Sequence, residues 1–359
     1  MTPGNEGISP ADDTGKPIPG EDDGAPWRRT EKGETNEPSA PTRNTPPAAA
    51  EVPSDSNRAA RPLHWIVGIL LAIALIGAVE LLIGWKTIWL TWREVSPRDL
   101  LLPIMLTVTS YSLRAARLAQ VAASAGLRAS FFSWFRMTAI HVLAVNVIPA
   151  RGGEMALPIL LHRHFKLHLG PGIGLLANIR LHDIAAMAGL GIAAVITLMF
   201  GPLAGSLALL IGGLSGWLGL LLLPRLILPW LDRAPPRIAA LAWPLHRLPQ
   251  RAGRVYLLTL GAWTTKWLAL ALIAGTVAAL EPAQALVAIG AAEVAALSPI
   301  QGVAGAGSFE AAVAGALVLV GLSADAALHA AIQLHLFLLG MSLLLAGIAA
   351  LIPHRRAGE

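Results

Sequence analysis

The chain is 359 residues long, 55% apolar and only 14% charged, with a mean hydropathy of +0.60, whereas an ordinary soluble domain carries roughly a quarter charged residues. This composition defines a polytopic membrane protein, and the 27 Lys and Arg against 22 Asp and Glu fall mostly in short connections beside apolar segments, which is an orientation signal and not a nucleic-acid footprint. Cysteine is absent, so thiol catalysis, disulfides and Cys-type zinc sites are excluded.

Residues 1–62 are rich in Pro, Gly, Asp, Glu, Thr and Asn and lack apolar periodicity, which predicts a disordered, solvated tail. They do not read as a secretory signal, because the apolar run begins only at Leu63. At about 20 residues per crossing, Leu63 to Gly84 forms a first span. Trp85, Trp89 and Trp92 follow on a connection that suggests an interfacial aromatic belt. Leu100 to Ala119 is a second span, and Ile173 to Phe200 and Leu203 to Leu223 are two more. A polar, Arg-rich connection runs from Pro224 to Arg254. Val255 to Leu280 and Ala326 to Ile352 are the last full spans, and residues 353–359 form a short cytoplasmic C-terminus.

Two apolar stretches are broken in the middle. Phe131 to Phe165 contains Asn146-Val-Ile-Pro-Ala-Arg-Gly-Gly-Glu154, and Ala283 to Gly321 contains Ser298-Pro-Ile-Gln-Gly-Val-Ala-Gly-Ala-Gly-Ser-Phe-Glu310. Each break ends on a glutamate that opens a new helix. Non-helical chain at membrane depth survives only where protein buries it or where it lines a cavity. A matched pair of such breaks, one in each half, points to a transporter site at a repeat interface.

The charge pattern sets the topology. Arg225, Arg233, Arg237, Arg247, Arg251 and Arg254 against the single acid Asp232 mark their connection as cytoplasmic, and Arg355 and Arg356 place the C-terminus there too. No Lys or Arg lies between Lys266 and Arg355. A span out, a hairpin entered from outside and a span back satisfy both facts. Counting backwards, His162, Arg163, His164 and Lys166 are inside, so the first hairpin enters from the cytoplasm. The expected fold is therefore all-α, a polytopic helical membrane protein with two broken, re-entrant helical hairpins in inverted-topology repeats and both termini cytoplasmic.

At Leu113-Arg-Ala-Ala-Arg117, Asn146 to Glu154, Arg180-Leu-His-Asp183 and Ser298 to Glu310, the chain resembles the transmembrane region of bacterial lysylphosphatidylglycerol synthases and its stand-alone, flippase-like relatives. The resemblance covers residues 63–352. It implies a place in the cytoplasmic membrane and a role in moving or modifying polar lipids, anionic or aminoacylated ones such as aminoacylated phosphatidylglycerol and, in the stand-alone relatives, other polar or isoprenoid lipids. The synthases add a soluble aminoacyl-transferase domain that these 359 residues lack, so the resemblance implies translocation and not synthesis.

The breaks suit that role on their own chemistry. A helix opening near Glu154 or Glu310 aims free backbone amides at a phosphate or carboxylate. Arg151 offers a planar fork for a phosphodiester, with Asn146, Ser298 and Gln301 as further polar contacts. Gly152, Gly153, Gly302, Gly305 and Gly307 allow close backbone approach, either to a ligand or to a neighbouring helix. Glu154 and Glu310 are either first-turn acids stabilising helix dipoles or groups that bind a proton or a basic headgroup. Arg180 and Asp183 share a helix face and can pair with each other, or Arg180 can reach Glu154. Arg114 and Arg117 also share a face but lie near a span end, where arginine can snorkel. Glu293 is a further intramembrane candidate. His162, His164 and His168 read as a cationic interfacial strip, not a metal site. His335 reads as a hydrogen-bonded packing residue before a proton relay.

No P-loop, nucleophile elbow or zinc-protease pair is present in the sequence, and no cofactor is called for. The expected partner is a membrane lipid, with lipid-synthesis enzymes as a second candidate class. Translocation is the leading function; a membrane-embedded lipid-modifying enzyme and a scaffold for a lipid-synthesis complex are the alternatives.

Overall fold

The computed structural model describes residues 73, 77, 80, 84–149, 151–231, 233, 252–298 and 302–351. The expected tail, the first span apart from three helical positions, most of the Arg-rich connection and Gln301 lie outside them. Among the described residues the regular structure is helical throughout, with no strand.

Among the described residues ten α-helices have defined bounds: α1 (Trp85–Glu94), α2 (Pro97–Ala123), α3 (Phe131–Val147), α4 (Ala156–Phe165), α5 (Leu169–Phe200), α6 (Pro202–Leu231), α7 (Ala252–Ala278), α8 (Pro282–Ala295), α9 (Ser308–Leu319) and α10 (Ala324–Ala350). α5, α6, α7 and α10 are long and apolar enough to cross a membrane. α2 is equally long, at 27 residues, but carries Ser110, Arg114 and Arg117 on its inner face, while Leu101, Leu102 and Met105 are exposed on the other.

The helix starts follow local chemistry. Ser96, Ser130 and Ser323 each turn a side-chain oxygen onto a backbone amide of the first turn, at 3.3, 3.3 and 3.4 Å, satisfying a donor that the helix itself leaves unpaired. Pro97 and Pro282 occupy first positions, where a missing N–H costs nothing.

Two expectations change. The connection holding Trp85, Trp89 and Trp92 is itself the helix α1, with Trp89 outward but Trp92 turned in to stack on Phe337 at 6.4 Å, and with Ile88 buried against Ile332. α6 does not stop at Leu223; it continues through Pro224 and Pro229 to Leu231. Proline removes one helix hydrogen bond and bends the axis, and α6 runs on through both prolines.

Both expected broken hairpins form. α3 ends in extended backbone at Ile148, and Pro149 cannot continue the helix. Arg151 then takes a left-handed conformation (φ 57°), and Gly152–Met155 forms a 3-10 turn leading into α4. A Cβ at Gly153 would collide with the carbonyl of Ala144, so only glycine lets the turn fold back against α3. In the second hairpin, α8 gives way to a 3-10 turn, Val303–Gly305, with Ala304 left-handed at φ 59°. Gly307 (φ 83°) precedes α9, whose Glu310 reaches back to accept a hydrogen bond from the Gly307 N–H at 2.8 Å.

The order long helix, broken pair, long helix thus occurs twice, as α2 to α5 and as α7 to α10. α2 packs along α7, while each broken pair lies on the closing helix of the other half, α3 on α10 and α8 on α5. Trp263, Trp267, Leu270 and Ile273 of α7 are buried at the centre of the largest apolar cluster. α6 packs on α5 through Gly189 and Gly212, where an added Cβ would stand 3.3 and 3.0 Å, respectively, from backbone. Its other face, including Leu203, Leu210, Ile211 and Leu214, is exposed apolar surface, which suits contact with lipid.

Candidate functional site

The tips of the two hairpins meet. Arg151 Nη1 donates to the Leu297 carbonyl at 2.9 Å, joining the first break to the residue that opens the second. Around this contact lies a cavity of about 300 Å³, walled by α2, α3, α5, α7, α8, α10 and both breaks. That volume accommodates a polar headgroup or small solute.

A network of charges covers the wall. Asp183 of α5, fully buried, binds three donors: Arg117 of α2, Arg180 Nη1 at 2.8 Å and the Trp263 indole Nε1 at 2.7 Å. Arg180 extends its other side to Glu154 Oε2, with Nε at 3.0 Å and Nη2 at 2.5 Å, and Glu154 Oε1 takes Arg151 Nη2 at 3.3 Å. A continuous chain of ion pairs therefore runs from α2 through α5 to the first break. Lys266 of α7 pairs with Glu293 of α8. Arg114 and Lys266 both stand near the face of Trp263, at 4.3 and 4.9 Å from the ring centre, a geometry in which the aromatic quadrupole favours a cation.

Polar clamps hold the other wall. Ser342 of α10 donates to the Leu338 carbonyl at 2.8 Å and accepts from Asn146 Nδ2 at 2.7 Å and Tyr111 at 3.1 Å. At the second break, His335 lies between Glu310, 2.5 Å from Nδ1, and the Ala304 carbonyl, 2.8 Å from Nε2, and stacks on Phe309 at 4.4 Å. A carbonyl only accepts, so Nε2 carries hydrogen. One proton therefore sits between Nδ1 and the Glu310 carboxyl, which makes the pair neutral in sum.

Of the residues singled out from sequence, Asn146, Arg151, Glu154, Arg180, Asp183, Glu293 and Gly305 line the cavity. Gly152, Gly153, Ser298, Gly307 and Glu310 belong to the breaks but are not among its lining residues, and Gln301 lies outside the described residues. Both pairings open to Arg180 occur together. Glu310 acts as first-turn acid and as partner of His335 at once. Snorkelling does not describe Arg117, which is 5% exposed and ion-paired inside the protein, because Asp183 offers a buried partner that lipid does not. His162 and His164 bond the carbonyls of Leu167 and Leu160 near the end of α4. Tyr111, Trp263, Lys266 and Ser342 belong to the site and are not singled out in the sequence reading. Lys266 carried a usable signal, being an ionisable residue inside an expected span.

The protein is a multi-pass helical membrane protein whose two broken hairpins meet at a charged internal cavity. The family model described as the lysylphosphatidylglycerol synthase TM region matches residues 65–346, and the chain belongs to that family. Its setting is membrane lipid. No curated protein matches the chain.

Proposed function

We propose that this protein translocates a polar lipid across the cytoplasmic membrane, the headgroup passing through the cavity while the acyl chains stay in the bilayer. The observation that carries the reading is the meeting of two helix breaks, one from each half of the chain, at a cavity walled with charge. Discontinuous helices placed this way are the common building plan of transporter sites. The two hairpins enter from opposite faces, both termini are cytoplasmic, and the contact between the tips, Arg151 to Leu297, is the one that breaks as the halves rock. Residues 1–62 serve as a cytoplasmic tail and residues 63–352 as the translocation domain, with lipid-synthesis enzymes as candidate suppliers of substrate.

A membrane-embedded lipid-modifying enzyme is less well supported. Its natural general base, Glu154, already has both carboxylate oxygens engaged by Arg151 and Arg180. The test is reconstitution into liposomes carrying fluorescent polar lipids, with an impermeant quencher reporting transfer between leaflets. Transfer above that of protein-free liposomes is expected, and transfer equal to theirs sinks the reading.

A further inference from the structure

We infer that the cavity selects an anionic headgroup, one that carries a phosphate and no compensating ammonium, and that Arg114 is the residue that takes the phosphate. This deepens the translocation reading and rests on it.

The argument is one of charge balance. Five cations line the cavity, Arg114, Arg117, Arg151, Arg180 and Lys266, against three carboxylates, Glu154, Asp183 and Glu293. Every carboxylate is already engaged: Asp183 by Arg117 and Arg180, Glu154 by Arg180 and Arg151, Glu293 by Lys266. Arg114 is the lining cation that has no ion-paired carboxylate among the described residues. Its Nε rests 3.5 Å from Ser110 Oγ and its guanidinium lies over Trp263. The Glu310–His335 pair adds no charge, since one proton is shared between them. The wall therefore holds an excess of two positive charges in surroundings where an uncompensated charge is costly.

A second observation points the same way. Arg117 sits one turn after Arg114 on the same face of α2, and although its Nη1 serves Asp183 and Thr259, its buried Nε–H has no acceptor among the described residues. An anion supplies oxygens for both arginines and offsets the excess charge. A headgroup with an added lysyl ammonium brings only further positive charge and donors, against a wall that already has too many of both. The planar guanidinium of Arg114 also suits a phosphodiester better than a point charge does.

The test is direct binding to the purified full chain in detergent, read by native mass spectrometry and calorimetry. The probes are short-chain phosphatidylglycerol, phosphatidylcholine of the same chain length, lysyl-phosphatidylglycerol, and glycerol 3-phosphate as a free phosphate source. Phosphatidylglycerol is expected to bind about tenfold tighter than phosphatidylcholine, with the lysyl form weakest, as a charge-assisted contact requires. Arg114→Gln is expected to abolish that preference and Arg114→Lys to keep part of it, with thermal unfolding checking that each variant is folded. Glycerol 3-phosphate is expected to compete only weakly. Equal binding of the first two lipids, tighter binding of the lysyl form, or an unchanged preference in folded Arg114→Gln overturns the inference. Competition by glycerol 3-phosphate as strong as by the lipid overturns its lipid part. Should Arg114→Gln fail to fold, the wild-type lipid series and Arg114→Lys still decide. The outcome is separable from the translocation reading: anion-selective binding without leaflet transfer removes that reading alone, and transfer without anion preference removes this inference alone.

Discussion

Glu154 and Glu310 occupy matching places in the two breaks but meet different partners, so the same substitution should act differently at each. Gln at position 310 still accepts from the Gly307 N–H and can donate to His335 Nδ1, preserving both contacts seen at 2.8 and 2.5 Å. Glu310→Gln should therefore cost only the roughly 0.3 to 1 kcal/mol of a helix-dipole contact. It cannot pass on the shared proton, so if that proton moves during turnover, leaflet transfer should stop in a protein that unfolds at a near-normal temperature. Gln at position 154 leaves Arg151 and Arg180 without their shared carboxylate. Breaking a buried pair costs about 3 to 5 kcal/mol, reduced here because the Arg180 side chain is 28% exposed. Glu154→Gln should accordingly lower thermal stability visibly as well as activity. Fully stable and active variants at both positions would reduce the two glutamates to capping residues. Arg151→Ala removes the bond between the tips and should slow transfer without blocking insertion, with Lys restoring part, since it has charge but no fork; an Ala variant of full activity rejects a role for this arginine.

At the scale of elements, the breaks depend on glycines whose reasons differ. Gly153 has no room for a Cβ because the Ala144 carbonyl fills the space, whereas Gly315 inside α9 has nothing within 4 Å. Gly153→Ala should destabilise by about 1 to 3 kcal/mol through overpacking, while Gly315→Ala should be neutral or stabilise by up to about 1 kcal/mol through helix propensity. Thermal unfolding of the two variants in one detergent compares them, and equal melting temperatures would contradict the packing argument. The sequence made the breaks legible because Pro149 and the glycines are local signals, and it placed nearly every helix because apolar length is local too. The partners inside the cavity were harder. Arg117 meets Asp183 66 positions away and Lys266 meets Glu293 27 positions away, and nothing local chooses among several possible acids. Trp92 looked interfacial for the same reason: its stacking partner Phe337 lies at the other end of the chain. Pro224 was misleading in the opposite sense, a local stop signal inside a helix, α6, that runs on to Leu231.

At the scale of the whole molecule, the proposed alternating access requires the hairpins to open from opposite sides. The structure shows the order long helix, broken pair, long helix twice and the tips in contact; the faces themselves follow from Lys and Arg placement. Because the chain has no cysteine, single introduced cysteines report sidedness without background. Arg163 near the end of α4 and Asp325 in the first turn of α10 are both exposed, and each lies beside the base of its own hairpin. On intact cells, an impermeant maleimide should label Asp325→Cys directly and Arg163→Cys only after the membrane is permeabilised. Arg98→Cys, exposed at the start of α2, should behave like Asp325→Cys, since α2 has to begin outside if the first hairpin is to start inside. Labelling of Arg163→Cys and Asp325→Cys from the same side would place both hairpins on one face. The two halves then could not exchange access by rocking about a shared cavity, and the contact between Arg151 and Leu297 would be a static tie between helices and not a gate.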